Sequence, residues 1–424
     1  MPSSTSQRLS VARRVAGMQP SVTVAFGNRA KAMKRAGIDV LSFSLGEPDF
    51  DTPVPIKQAA IDALLAGQTK YMPTLGDPET RGAVAAKLER DNAIAGLTPD
   101  HVAISAGGKH SLYVACHCLL DPPEAGEEPW EVLLPVPAWV SYAPIAEMAG
   151  GKVVELPTGP EDDFKISPAQ LRAAITPRSR LLIMNSPSNP CGTMYTPDEL
   201  RALAAVIEEA VAGVAPDLIV LSDEIYEKIV YGGIEHFSLG SIPAIADRVL
   251  TLNGLSKAYS MTGWRVGYAA MPGDFGRELI NAMGTLQGQM TTNIVSFVYP
   301  AIRKALADCE ADASRMCQAF ARRAEVISAR LAAIPSLVCA KPTGAFYAFP
   351  DVSRYFGKRS PAGRPINSPT QMCEALLEEV HIALVPGEDF GGCGKNCVRI
   401  SFACSEEQIH MGMDRFEDFL GTLR

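Results

Sequence analysis

Between residues 53 and 300 the chain repeats one unit: a short apolar run rich in β-branched residues, a polar turn, then a segment with helical periodicity. That alternation leaves few folds open. A strand that feeds a helix returns most readily to a parallel neighbour, and both faces of the resulting sheet must be covered. The runs lie at 102–105, 131–134, 152–155, 181–185, 218–222, 249–253 and 266–270. They predict an α/β fold with a mostly parallel seven-stranded sheet flanked by helices. At 424 residues and 47% hydrophobic content, the chain can also build a second, smaller α+β domain. Both ends supply it, residues 21–52 and 301–424, where an amphipathic helical stretch at 311–331 precedes strand-like runs near 345–349, 383–385 and 398–402. Residues 53–300 are read as the large domain and 1–20 as an N-terminal arm. The Pro- and Gly-rich piece 357–369 is expected to be a surface loop.

A formal charge of −8 and a pI near 5.4 argue against nucleic-acid or acidic-membrane partners, so any basic residues that meet an anionic ligand must be local. No apolar run approaches the roughly 20 residues of a membrane span, and no signal-peptide core follows Arg13 and Arg14. A cytoplasmic protein is expected. The ten cysteines include Cys116 and Cys118 around His117, and Cys393 with Cys397 beside a Gly-rich turn, but the spacing fits no common zinc pattern. They are expected to be small core residues, with no metal bound.

In open α/β sheets ligands collect at the carboxyl ends of strands. One such end leads from Lys257 to Arg265 through a tight polar loop. A lysine amine condenses with aldehydes and a guanidinium holds phosphate, so the pair suggests pyridoxal phosphate. A Ser-Lys dipeptide alone is usually a solvated surface group; its neighbours decide the matter. Asp223 ends an apolar strand and either caps a helix or keeps a pyridine nitrogen protonated. Tyr226 either packs on the sheet or donates to the same ring's oxygen. Pro190 restricts Asn189 to extended backbone, which fixes where its amide points. Trp139 offers a stacking face, or fills the core. Gly107-Gly108-Lys109 opens a helix with free backbone amides, a geometry suited to phosphate. Arg399 sits inside an apolar strand and needs an anion, either a structural partner or a substrate carboxylate.

These residues, with the segments 44–53 (SLGEPDFDTP), Thr69-Lys70-Tyr71, 137–142, 185–192, 222–226, 257–267 and 342–347, resemble the fold-type I pyridoxal-phosphate aminotransferases of class I. The chain is similar in particular to the bacterial aspartate aminotransferase subgroup that includes aspartate/prephenate aminotransferases. The resemblance spans nearly the whole chain. It implies that Lys257 bonds the cofactor and then shuttles the substrate proton, that Asp223 pairs with the pyridinium, and that Asn189 and Tyr226 bind the ring oxygen while Trp139 stacks. It assigns the phosphate to Arg265, Gly108, Lys109 and, from the other subunit of a homodimer, Tyr71. Arg399 and Gly46 would hold the substrate α-carboxylate beside Asn189 and Trp139, and Lys109 the distal carboxylate with the neighbouring subunit's Ser21 and Thr23. The reaction implied is ping-pong transfer of the amino group of aspartate to 2-oxoglutarate.

Several positions depart from the pattern. Gly254 stands where many relatives carry a phosphate-binding serine, leaving Ser256 as a substitute; His110 replaces a usual Gln; Gln19 replaces a basic residue typical of prephenate users; and 121–130 and 357–369 are longer than usual. Prephenate or aromatic amino acids are the alternative substrates. A non-catalytic sensor domain that binds the cofactor is the alternative of another class, but it would need a basic DNA-binding module for which the ~20 residues before Ser21 are too few.

Overall fold

The computed structural model describes residues 10–18 and 22–424. Its centre is a sheet of seven strands: β1 (Val102–Ser105), β2 (Glu131–Val136), β3 (Lys152–Pro157), β4 (Ser179–Asn185), β5 (Ile219–Asp223), β6 (Val249–Gly254) and β7 (Gly267–Ala270), in the order β1-β7-β6-β5-β4-β2-β3. All neighbours run parallel except β7, which is antiparallel to both β1 and β6. Each strand matches a run anticipated from the sequence.

The sheet buries two faces, and the side-chain period of two sorts residues between them. In β4, Leu181 and Ile183 enter one apolar cluster with helix Gly108–Leu119 and helix Gly273–Gly288, while Leu182 and Met184 enter another with helix Pro197–Ala212. That last helix starts where its sequence says it should. Thr196 accepts from the Glu199 N–H and Glu199 reaches back to the Thr196 N–H, satisfying two otherwise unpaired amides. Edge strand β1 has its outward groups covered as well: Ile104 N–H donates to Leu75 O at 2.9 Å and its carbonyl accepts from Gln287 Nε2 at 3.0 Å.

A separate apolar cluster draws on both ends of the chain, joining Phe26, Val40 and Phe43 to Phe320, Phe346, Phe402 and Phe416. It holds a three-stranded sheet in which β10 (Val398–Ser401) lies between β8 (Tyr347–Ala348) and β9 (Val385–Pro386). Segment 44–52 runs between this cluster and the large sheet, clamped by a bidentate ion pair of Asp49 with Arg323 at 2.7 and 2.8 Å and by Thr52 Oγ1 donating to Ser260 O at 2.6 Å.

One expectation needs correcting. Residues 357–369 contain a short antiparallel ribbon, Lys358–Arg359 with Pro365–Ile366, closed by a turn in which Gly363 has φ +82°. Arg359 and Arg424 exchange backbone hydrogen bonds, and Arg364 pairs with Glu378 and Glu379, so ladder and ion pairs order what composition alone marks as loop. No helix among the described residues is long and apolar enough to cross a membrane.

Candidate active site

Because β1, β2, β4, β5 and β6 point the same way, their carboxyl ends open on one edge. Antiparallel β7 begins at that edge instead of ending there. The loop between β6 and β7 therefore carries both Lys257 and Arg265, and the pairing of Gly254 with Gly267 fixes how it closes. A cavity of about 320 Å³ forms at this edge. Gly46, Gly108, Lys109, Trp139, Asn189, Asp223, Tyr226, Ser256, Lys257, Arg265 and Arg399 all line it, although they come from separate parts of the sequence.

Of the described sequence-predicted residues, Tyr71 alone does not line this cavity. Tyr71 is 87% exposed. Ser21, the side chain of Thr23 and Gln19 lie outside the described residues.

Asp223 lies half-buried at the end of β5. Tyr142 Oη donates to its Oδ2 at 2.7 Å and Ile225 N–H to its Oδ1 at 3.2 Å. Burial pushes its carboxyl up to about 6 against the pull of those hydrogen bonds. No helix follows it; residues 225–228 form a turn, so the helix-cap reading of Asp223 has nothing to cap. That turn directs Tyr226 back into the cavity, where its hydroxyl meets Tyr347 Oη at 2.9 Å.

Lys257 donates to the Gly46 carbonyl. Burial lowers its amine to about 8, Glu47 opposing that shift while Arg399 and Arg265 add to it. Arg265 takes the left-handed conformation, φ +57°, and its guanidinium lies against Gly107: a Cβ there would stand 2.5 Å from Nη2. Gly107 itself has φ +95°, a conformation that favours glycine, and its missing side chain leaves room for this approach. Lys109 stacks over Trp139, 4.8 Å from its ring centroid, and burial followed by the charge of Arg265 lowers its ammonium.

Arg399 is 3% exposed, yet its hydrogen bonds go to the Asn189 side-chain oxygen at 3.1 Å and the Ser44 carbonyl at 2.6 Å rather than to a carboxylate. Its Nε has no partner. A buried guanidinium held by neutral acceptors is arranged for an anion from outside the chain.

The structure also explains two departures. A Cβ on Gly254 would stand 2.7 Å from the Val266 carbonyl and 3.1 Å from Gly267 Cα, so a serine cannot enter without moving backbone. Ser256, buried and lining the cavity, offers a hydroxyl two residues further along the same loop. His110 turns its Nδ1 to the Ala106 N–H at 3.1 Å, which leaves Lys109 as the cation facing the cavity. Tyr142, Asn185, Thr262 and Tyr347 were not anticipated. Tyr142 and Asn185 sit within segments already singled out, three residues after Trp139 and four before Asn189, but their contacts to Asp223 depend on strand register.

The ten cysteines are all free, and Cys116, Cys191, Cys309, Cys373 and Cys397 are buried in apolar clusters. Burial pushes the thiols of Cys116 and Cys118 up to about 12 and 11. Among the described residues, the one set of three groups close enough to share a cation is Glu224, Glu227 and His236, not the Cys116–Cys118 and Cys393–Cys397 pairs.

The family model for aminotransferases of class I and II matches residues 38–416. An aspartate/prephenate aminotransferase of Cereibacter sphaeroides is 41% identical over 96% of this chain and 98% of its own. The solved aspartate aminotransferase of Rhizobium meliloti superposes with a TM-score of 0.90 at 38% identity, covering 98% of this chain and all of the other. That of Thermus thermophilus with maleate gives 0.87 at 38% identity over 97% and 100%. The chain belongs to the class I and II aminotransferases, enzymes that use pyridoxal phosphate. The cavity fits that cofactor. It offers the Lys257 amine, the Asp223 carboxylate for a ring nitrogen, a tryptophan face, and a guanidinium seated on the glycine turn that opens helix Gly108–Leu119.

An amine is nucleophilic only when unprotonated. With its folded value lowered to about 8 rather than the ordinary 10.5, Lys257 is mostly charged below pH 7 and mostly free above pH 9. The rate of covalent capture of pyridoxal phosphate by apoprotein should therefore rise with pH through a midpoint near 8, followed by rapid-mixing absorbance. A midpoint near 10.5 would show an unperturbed lysine.

Proposed function

We propose that the chain is an aspartate aminotransferase that moves the amino group of aspartate to 2-oxoglutarate. One observation carries this reading: four cations, Lys109, Lys257, Arg265 and Arg399, converge on a single cavity that contains one carboxylate, Asp223, in a chain whose net charge is −8. Such an excess suits several anions at once, a cofactor phosphate and the two carboxylates of a dicarboxylic amino acid. Relatives bearing the aspartate aminotransferase name, over nearly full length, support it.

Pyridoxal phosphate, when bound, supplies an aldehyde for a lysine and a ring that accepts electrons from the substrate. Lys257 would hold that aldehyde, and its amine is the group that would move a proton at the substrate α-carbon. Asp223 keeps the ring nitrogen protonated; its burial beside Tyr142 makes a nearby cation favourable. Asn189 and Tyr226 donate to the ring oxygen, and Trp139 covers one ring face. Arg265, the amides at Gly108 and Lys109, and Ser256 take the phosphate. Arg399, oriented by Asn189 and Ser44, binds the α-carboxylate with Gly46 alongside, and Lys109 binds the distal one.

We divide the chain as the sequence suggests, residues 53–300 as a cofactor-binding domain and 21–52 with 301–424 as a smaller one, the cluster formed by both chain ends supporting that division. Tyr71, exposed and off its own cavity, and residues Ser21 and Thr23 are assigned to the site of a second copy, which makes a two-fold dimer the smallest competent unit. The free cysteines suit a reducing compartment, and we place the enzyme in the cytoplasm, which fractionation checks.

Half-reactions test the substrate. Holoenzyme mixed with aspartate, glutamate, arogenate and phenylalanine should lose its cofactor absorbance fastest with aspartate and glutamate, and Lys257→Ala should abolish turnover. Faster reaction with arogenate or phenylalanine would favour the prephenate or aromatic reading, which the name of the Cereibacter relative keeps in play. Lys109→Ala should lower kcat/KM for aspartate about ten- to a hundredfold, the ~1.5–3 kcal/mol of one charge-assisted hydrogen bond, while alanine changes little. Equal losses would mean that Lys109 serves the cofactor. Finally, activity on dilution should fall together with the dimer seen by sedimentation, and a fully active monomer would refute the shared site.

A further inference from the structure

Behind Asp223, on the side away from the cavity, lies a buried polar cluster that the chemistry above does not use. Its hub is Glu224, 2% exposed and next in the chain to the cofactor-facing aspartate. Its two oxygens are saturated. Oε1 accepts from Ser222 Oγ at 2.9 Å and Ser238 Oγ at 2.7 Å, and Oε2 accepts from Asn92 Nδ2 at 3.0 Å and His236 Nε2 at 3.1 Å. The second amide hydrogen of Asn92 goes to Glu227 Oε2 at 2.7 Å, and the Asn92 oxygen accepts from Lys87, which is itself paired with Glu227. The end of helix Pro78–Asn92 and the loop carrying His236 and Ser238 are thereby locked onto the start of the turn.

A carboxylate that accepts two donors at each oxygen has one orientation, and its backbone inherits the restraint. The Glu224 N–H donates to Leu252 O at 2.9 Å and its carbonyl accepts from the Glu227 N–H at 2.9 Å. Turn 224–227 is thus fixed from both sides, and this turn aims Asp223 at one end and Tyr226 near the other. Although Glu224, Glu227 and His236 approach one another within 4.8 Å, the carboxylate oxygens are taken by Lys87, Asn92, the serines and His236 Nε2, and only the His236 Nδ1 is without a hydrogen bond, so the cluster is a hydrogen-bonded clamp.

We propose that Glu224 is a positioning residue for the reaction: the clamp it centres holds turn 223–226 so that Asp223 and Tyr226 meet the cofactor in register. The proposal rests on the pyridoxal-phosphate reading of Asp223. A displacement of reacting groups by a fraction of an ångström to 1 Å slows the chemical step far more than it weakens substrate binding.

The test compares holoenzyme of the unsubstituted chain with Glu224→Gln, Glu224→Asp, Ser222→Ala and Ser238→Ala, and with Ile327→Val, a core change on helix Glu310–Ala333 that removes none of the cluster's hydrogen bonds, as a control for lost stability. A separate aliquot of each preparation is reduced with borohydride and its cofactor mass located on Lys257, while the kinetics use unreduced holoenzyme. Glu224→Gln should lower kcat ~10- to 100-fold, with KM for the amino acid changed by less than about threefold. Deuterium exchange at the substrate α-carbon should fall in parallel. Glu224→Asp, which keeps the charge, should recover part of the loss. If Glu224→Gln does not fold, the two serine variants, each lacking one donor, must show the same kcat-selective loss at smaller size. A loss no greater than that of Ile327→Val, or one that falls on KM, overturns the role of Glu224. An adduct missing from the unsubstituted chain overturns the cofactor reading instead.

Discussion

Like-charge crowding is the constraint on which this structure turns. Two guanidinium groups and two amines share one cavity with a single carboxylate, and the Arg399 guanidinium is almost fully withdrawn from water. Such an arrangement is costly in isolation. The protein holds it with neutral acceptors, the Ser44 and Gly46 carbonyls, the Thr262 carbonyl and the Asn189 amide, which orient the cations without discharging them. Burial first, with Arg399 and Arg265 adding to it and Glu47 opposing, lowers the Lys257 amine to about 8, toward the unprotonated state a nucleophile needs. Binding of anions then relieves the crowding.

The scaffold makes that crowding bearable by anchoring each charged group in a different element. Lys109 opens a helix, Asp223 closes β5, Lys257 and Arg265 share one loop, and Arg399 comes from a strand in the cluster formed by both chain ends. Segment 44–52 ties these together, meeting Arg399 through Ser44, Lys257 through Gly46, and the long helix Glu310–Ala333 through Asp49 and Arg323.

Much of this was legible in the sequence because it depends on local pattern. The seven strands follow from apolar runs between turn signals, and Lys257, Asp223 and Asn189 stand out by following strand ends. What stayed hidden depends on register and on approach in space. Tyr142 meets Asp223 only because β2 and β5 lie in one sheet with β4 between them. The clamp around Glu224 gathers Asn92, His236 and Lys87 from elements that no spacing connects. The ribbon at 357–369 is ordered by pairing with the last residue of the chain, a contact that composition cannot report. Asp223 was open to a capping interpretation because strand and carboxylate are visible in sequence, while the absence of a helix behind them is a matter of tertiary packing.

The reversed direction of β7 has a consequence for how such an enzyme can diversify. Because β7 starts at the ligand edge, the groups assigned to tether the cofactor covalently and through its phosphate sit on one loop between two hydrogen-bonded strands, eight positions apart. The groups assigned to the substrate are spread over distant elements. Mutational drift in the substrate-facing parts can therefore retune selectivity while the tethers keep their mutual geometry, and variation within 254–267 disturbs both tethers at once. The loop is an inheritable module, and the rest of the cavity is where new specificities can be explored.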